Sequence, residues 1–188
     1  MSEPAAVIVL NAGALPLARR IAAALPGARL HGLMGRVARA EVSFDDLAPH
    51  LRALFAAGTP IVGLCAAGVL IRILAPRLAD KRVEPPVVAV AEDGSAVVPL
   101  LGGHHGGNDL ARTIAAALAV PPAITTAGDL RFGVALDEPP PGYSLANPED
   151  AKAFAAALLG GGIVCIEGSA PWLGDSRLPL DAAAAARI

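Results

Sequence analysis

Apolar positions in this chain fall into short unbroken runs, separated by small-residue turns and by stretches with helical spacing. Residues 6–10, Ala-Val-Ile-Val-Leu, form the first run. An uninterrupted apolar run suits a strand buried on both faces of a parallel sheet. Asn11-Ala12-Gly13 turns the chain. Residues 15–25 then predict a helix, with Pro16 tolerated in its first turn and Pro26-Gly27 ending it. Residues 28–30 suggest a short strand and 31–36 a loop. Ser43 is the expected cap of a helix carrying Leu47, Leu51, Leu54 and Phe55, closed by Gly58.

The alternation continues. Residues 60–64 predict a strand, Cys65-Ala66-Ala67-Gly68 a turn, and 69–74 a helix with Pro76 near its end. Residues 87–91 and 96–100 flank Glu92-Asp93-Gly94-Ser95, a turn signal that makes them hairpin partners. A helix over 109–118 follows, capped by Asn108, and then a strand over 123–126. Strands alternating with helices predict an α/β fold, a layered domain with a mostly parallel central sheet flanked by helices. That domain is assigned to residues 1–130. The remainder, 131–188, begins with the stiff run Glu138-Pro139-Pro140-Pro141-Gly142 and is expected to be a linker and a small α/β C-terminal unit. In that unit Asn147 is placed as the cap of a helix with Pro148 at its first position, ending at Gly160-Gly161-Gly162. Residues 163–166 read as a strand and Trp172 as an anchor.

Composition narrows the possible roles. The 188 residues suffice for one domain with a sizeable core and a small appendage. Much of the 54% hydrophobic content is alanine, and no run approaches the roughly 20 apolar residues that span a bilayer. A net charge of −2 without a basic cluster, and 3% aromatics, argue against nucleic acid as a partner. Met1-Ser2-Glu3-Pro4 lacks a basic leader, and the two cysteines suggest no disulfide framework, so a reduced cytoplasm is the simplest setting. Neither Gly-x-Gly-x-x-Gly nor Gly-x-x-x-x-Gly-Lys-Ser/Thr occurs, which weighs against a generic nucleotide-binding domain. No cofactor is expected in this segment, and no metal site, since two adjacent histidines do not complete one.

The richest chemistry lies in Gly102-Gly103-His104-His105-Gly106-Gly107-Asn108-Asp109. Glycines let a backbone turn tightly and approach a ligand, and a helix start offers unpaired N–H groups to an anion. Small-residue turns also follow the first strand and residue 64. If all three share one sheet edge, three helix starts face one crevice, where α/β sheets gather ligands. The plainer reading is that small residues let helices pack closely on the sheet. His104 suits a general base or a donor to a developing oxyanion, or else pins loop carbonyls. His105 is the more incidental of the two. Cys65, at a helix start, is either a nucleophile with a lowered pKa or a small packing residue, the commoner use. Arg72 and Lys81 could each hold a substrate carboxylate or a structural acid such as Asp80 or Glu84. Thr125 and Thr126 could hydrogen-bond a ligand from a strand end.

Gly63-Leu64-Cys65-Ala66-Ala67-Gly68 with Ile71-Arg72 and Pro76, Asp80-Lys81-Arg82, Pro86-Val87-Val88, Pro99-Leu100-Leu101-Gly102-Gly103-His104 and Thr125-Thr126 occur in the order and spacing of a known family. They resemble the amino-terminal domain of cobalamin-biosynthesis protein G, the cobalt-precorrin-5A hydrolase family. The turn departs from the family's Gly-His-x-Gly-Gly-Ala-Asn, being one residue shorter before Asn108. The start of the chain, and residues 131–138 through 145–149, resemble a variant fused ahead of a precorrin-3B C17-methyltransferase. The resemblance implies a carboxylate-rich corrin intermediate as ligand, opening of its δ-lactone with release of a two-carbon aldehyde, and a fused or partner methyltransferase. By that match His104 is the catalytic candidate. Cys65, Gly68, Arg72, Lys81, Gly103, His105, Gly106, Gly107, Asn108, Thr125 and Thr126 are the substrate-binding candidates. A non-catalytic tetrapyrrole-binding module serving a methyltransferase is the alternative. The chain shows no S-adenosylmethionine-binding glycine motif of its own.

Overall fold

The computed structural model describes residues 4–188 except Arg82, His104, His105, Glu138 and Pro141. The chain divides into two compact units, Met1–Ile124 and Thr125–Ile188. The first is an open α/β sheet of six strands: β1 (Ala6–Val9), β2 (Arg29–Leu33), β3 (Val42–Phe44), β4 (Ile61–Leu64), β5 (Val87–Val90) and β6 (Val97–Leu101). Their spatial order is β3-β2-β1-β4-β5-β6. The first five are parallel to their neighbours and β6 is antiparallel to β5.

The strand side chains alternate between two cores. Val7, Val9, Val62, Leu64, Val88 and Val90 point to one face, where α1 (Leu15–Ala24) and α4 (Gly107–Leu118) contribute Ala18, Ile21, Ala111 and Ile114. Ala6, Ile8, Ile61, Val87 and Ala89 point to the other, against Leu51 and Phe55 of α2 (Leu47–Ala56) and Leu70 and Leu74 of α3 (Ala67–Leu74). Burial on both faces is why the central strands are apolar throughout. Gly63 marks the closest approach of α3: a Cβ there would lie 2.9 Å from both terminal carbons of Leu70.

Several local expectations are corrected. Residues 31–33 continue β2, so His31-Gly32 is strand and not loop. Ser43 lies within the short strand β3, and the cap of α2 is Asp46, whose carboxylate accepts from the Ala48 amide at 3.0 Å. The expected strand over 123–126 does not form. Pro122 makes only an isolated bridge to Val97, and Thr126 begins α5 (Ala127–Phe132).

The second unit contains α5 and α6 (Ala151–Leu159) and buries Phe132, Leu158, Val164, Leu173 and Leu178. Helix α6 begins after Asp150 instead of after Asn147. Residues 163–166 make isolated bridges only: Val164 to Leu180 and Cys165 to Arg187. Trp172 is half-buried against this core, its ring 6.0 Å from that of Tyr143. Of the expected 138–142 linker, Glu138 and Pro141 lie outside the described residues.

Candidate functional site

The strand order places a topological switch point between β1 and β4, since the chain moves outward in opposite directions from that pair. The turns at their carboxyl ends face this crevice. Asn11 caps the 3₁₀ turn that leads into α1, its Oδ1 accepting from the Ala14 amide at 3.0 Å. Its Nδ2 donates to Glu92 Oε1 at 2.8 Å, linking the ends of β1 and β5. Beyond β4, Cys65 is buried in the α2–α3 core. Burial, and secondarily the nearby Glu92 carboxylate, push its thiol up to about 11. It is therefore a protonated packing residue at neutral pH, not an activated nucleophile. Arg72 is exposed, and its guanidinium folds back to the Gly68 carbonyl at 3.2 Å, one turn earlier in α3.

The glycine-rich turn lies elsewhere. Because β6 runs antiparallel to β5, its carboxyl end returns to the amino-terminal rim of the parallel strands. The three helix starts therefore do not share one crevice: the turns after β1 and β4 lie on one rim, and Gly102, Gly103 and Gly106 to Asn108 lie on the opposite one. On that rim a cleft of about 550 Å³ is lined by Ala5, Pro60, Pro86, Gly106, Asp109 and Thr113, among others.

The glycines of this turn have different tasks. Gly102 has φ +65°, and a Cβ on it would lie 2.7 Å from Pro86 N and 2.9 Å from Pro85 C. A Cβ on Gly107 would lie 2.7 Å from the Gly102 carbonyl oxygen, to which its own N–H donates at 2.9 Å. Both glycines let α4 start directly against the end of β6. Gly106, at φ +84°, has no atom of the described residues within 4 Å of its Cβ position. Gly106 is also the cap residue of α4, which begins two residues earlier than expected, so Asn108 is not the cap but a buried residue of the first turn. Asp109 pairs with Arg112 at 2.6 Å, and its carbonyl accepts from Thr113 Oγ1 at 2.9 Å. Gly103 is half-buried. His104 and His105 lie outside the described residues.

The other candidates are dispersed. Lys81 is exposed. Glu84 lines the cleft, one oxygen accepting from the Ala79 amide at 3.0 Å. Thr125 and Thr126 belong to the second unit, where Thr126 Oγ1 donates to the buried Asp129 at 2.6 Å. Sequence reasoning missed one polar pair entirely. His31 Nδ1 and His50 Nε2 are 2.8 Å apart. They stand 19 positions apart in sequence, and a loop reading of residue 31 concealed that it points into a core.

The strand order and the helices on both faces define the class: a doubly wound α/β domain with an antiparallel edge strand. Residues 49–129 match the family described as Cobalamin synthesis G N-terminal. The chain is 39% identical over 139 residues to a cobalt-precorrin-5A hydrolase of Salmonella typhimurium, covering 72% of this chain and 39% of that protein. It is 39% identical over 88 residues to a cobalt-precorrin-5A hydrolase of Priestia megaterium, covering 46% of this chain and 24% of that protein. The crystal structure of a cobalamin biosynthesis protein G homolog from Sulfolobus solfataricus shares the fold, with a TM-score of 0.50 at 23% identity, over 89% of this chain and 49% of that one. This chain belongs to the cobalamin-biosynthesis protein G family. It spans well under half the length of the curated relatives it matches.

Proposed function

We propose that this chain acts in cobalamin biosynthesis by binding a corrin precursor at the glycine-rich rim, as part of a cobalt-precorrin-5A hydrolase-like protein. The observation that carries this reading is the 39% identity over 139 residues to the Salmonella typhimurium hydrolase. In this reading Gly106 and the first turn of α4 approach the ligand, and His104 serves as general base toward the lactone or as donor to its oxyanion. The cleft presents the carboxylates Glu84 and Asp109, so an acid-rich ligand needs cations to offset them, with Arg112, Lys81 and the two histidines as candidates.

The second reading, a corrin-binding module that performs no chemistry, is favoured by one observation. Cys65, the nucleophile candidate, is a buried thiol whose pKa is raised to about 11. In that case a fused or partner enzyme, such as the C17-methyltransferase that the tail's resemblance suggests, uses the bound ligand.

Incubation with cobalt-precorrin-5A separates these readings. A dehydrogenase-coupled assay detects the released two-carbon aldehyde, and spectral titration detects binding. A hydrolase loses ~10²–10⁴-fold in rate on His104→Ala with binding retained. A binding module shows no turnover, and His104→Ala weakens its affinity. His105→Ala has a much smaller effect in either case. No binding and no turnover by the folded chain would refute both.

A further inference from the structure

His31 lies in the middle of β2, opposite Ile8 of β1 in the parallel register, and is only 7% exposed. His50 reaches it from the first turns of α2, with 2.8 Å between Nδ1 of His31 and Nε2 of His50. Phe44 of β3 covers the other side, its ring stacked on that of His50 at 4.4 Å and 7°. The two imidazoles thus pin α2 to β2 and β3. At 2.8 Å one nitrogen must donate and the other accept. A neutral pair meets that condition; a singly protonated pair also meets it but buries an imidazolium charge, and a doubly protonated pair sets two N–H groups against each other.

We propose that His31 and His50 form an acid-released latch, which holds β2, β3 and α2 together at neutral pH and lets this corner open as the medium acidifies.

The surroundings favour the neutral state. Burial lowers His31 to about 4, aided by His50 and by Arg29 on the same strand, and opposed by Glu41. Glu41 is already engaged, one oxygen accepting from the Leu30 amide. Burial also lowers His50. On α2, the Asp46 carboxylate caps the Ala48 amide and Arg52 donates to the Ile73 carbonyl, so both are committed elsewhere. Neighbouring β1 brings only apolar Ala6 and Ile8 to this side.

The sign follows from these lowered values. An opened corner takes up protons as pH falls through about 6.5, while the closed corner resists until about 4. The stabilisation is complete above 6.5 and drains away between those limits. For His31 alone the opening constant rises about 20-fold from pH 7 to pH 5.

Hydrogen exchange of the whole chain at pH 7 and pH 5, divided by the intrinsic rate at each pH, provides the test. Peptides covering residues 29–56 should open about 20-fold more at pH 5, while those covering β4 and β5 change little. His31→Gln, which keeps a hydrogen-bonding group beside His50, should reduce the rise to less than about threefold. Equal opening in all strands, or an undiminished rise in a folded His31→Gln protein, overturns the proposal. If that variant does not fold, the imidazole signals of the unaltered chain decide by NMR: titration of the His31 ring near 6.5 refutes the latch, and a midpoint well below 6 supports it.

Discussion

Replacing Gly102 by alanine separates two explanations of the glycine-rich turn, backbone packing and ligand approach. The new Cβ would stand 2.7 Å from Pro86 N and 2.8 Å from Pro86 Cα, atoms of a main chain that also begins β5. No side-chain rotation relieves such a contact. Left-handed backbone costs an L residue roughly 1–2 kcal/mol, and overpacking against fixed atoms adds roughly 1–3 kcal/mol. Gly102→Ala should therefore lose roughly 2–5 kcal/mol. Gly106→Ala meets the first cost alone, since no atom of the described residues lies within 4 Å of its Cβ position, and should lose roughly 1–2 kcal/mol. Urea unfolding followed by far-UV circular dichroism measures the difference. With a slope of about 2 kcal/mol per molar, the Gly102→Ala midpoint falls by roughly 1–2.5 M. The single tryptophan and tyrosine, Trp172 and Tyr143, both lie in the second unit, so fluorescence follows that unit's transition separately. Equal losses at the two positions would show that close backbone approach does not explain Gly102.

Gly63→Ala should lower stability by roughly 1–3 kcal/mol in thermal unfolding, although alanine ordinarily improves on glycine in a strand, because the added methyl meets Leu70. Native Cys65 should resist iodoacetamide at neutral pH and react once the chain is denatured; mass spectrometry of tryptic peptides reads this, and rapid native labelling would contradict the raised thiol pKa. Calorimetry with micromolar S-adenosylmethionine should give no saturable heat, because no methyltransferase glycine motif is present in this sequence. Saturable binding would defeat that inference.

The central sheet was legible because its strands are nearly pure apolar runs, as at Ala6–Val9 and Val87–Val90. β3 was hidden, since three residues leave little periodicity and Ser43 imitates a helix cap. Residues 123–126 read as a strand from their composition, yet the preceding pair Pro121-Pro122 offers no amide to a ladder. The site was harder. Glu92-Asp93-Gly94-Ser95 already announced a hairpin, and a hairpin reverses β6. That reversal excludes a shared edge for the three small-residue turns, so the position of the glycine turn could have been deduced from the hairpin. Burial of Cys65 and the His31–His50 contact depend on how α2 packs, which single-sequence periodicity does not specify.

The reversed strand has a directional consequence. Each central strand is four residues long, so the two rims are separated by roughly 13 Å of sheet. A molecule resting against the glycine turn leaves the Asn11–Glu92 rim open, and one entering at the switch point leaves the glycine turn open. The domain therefore has two ends that face away from each other. Whatever meets one rim touches none of the atoms of the other.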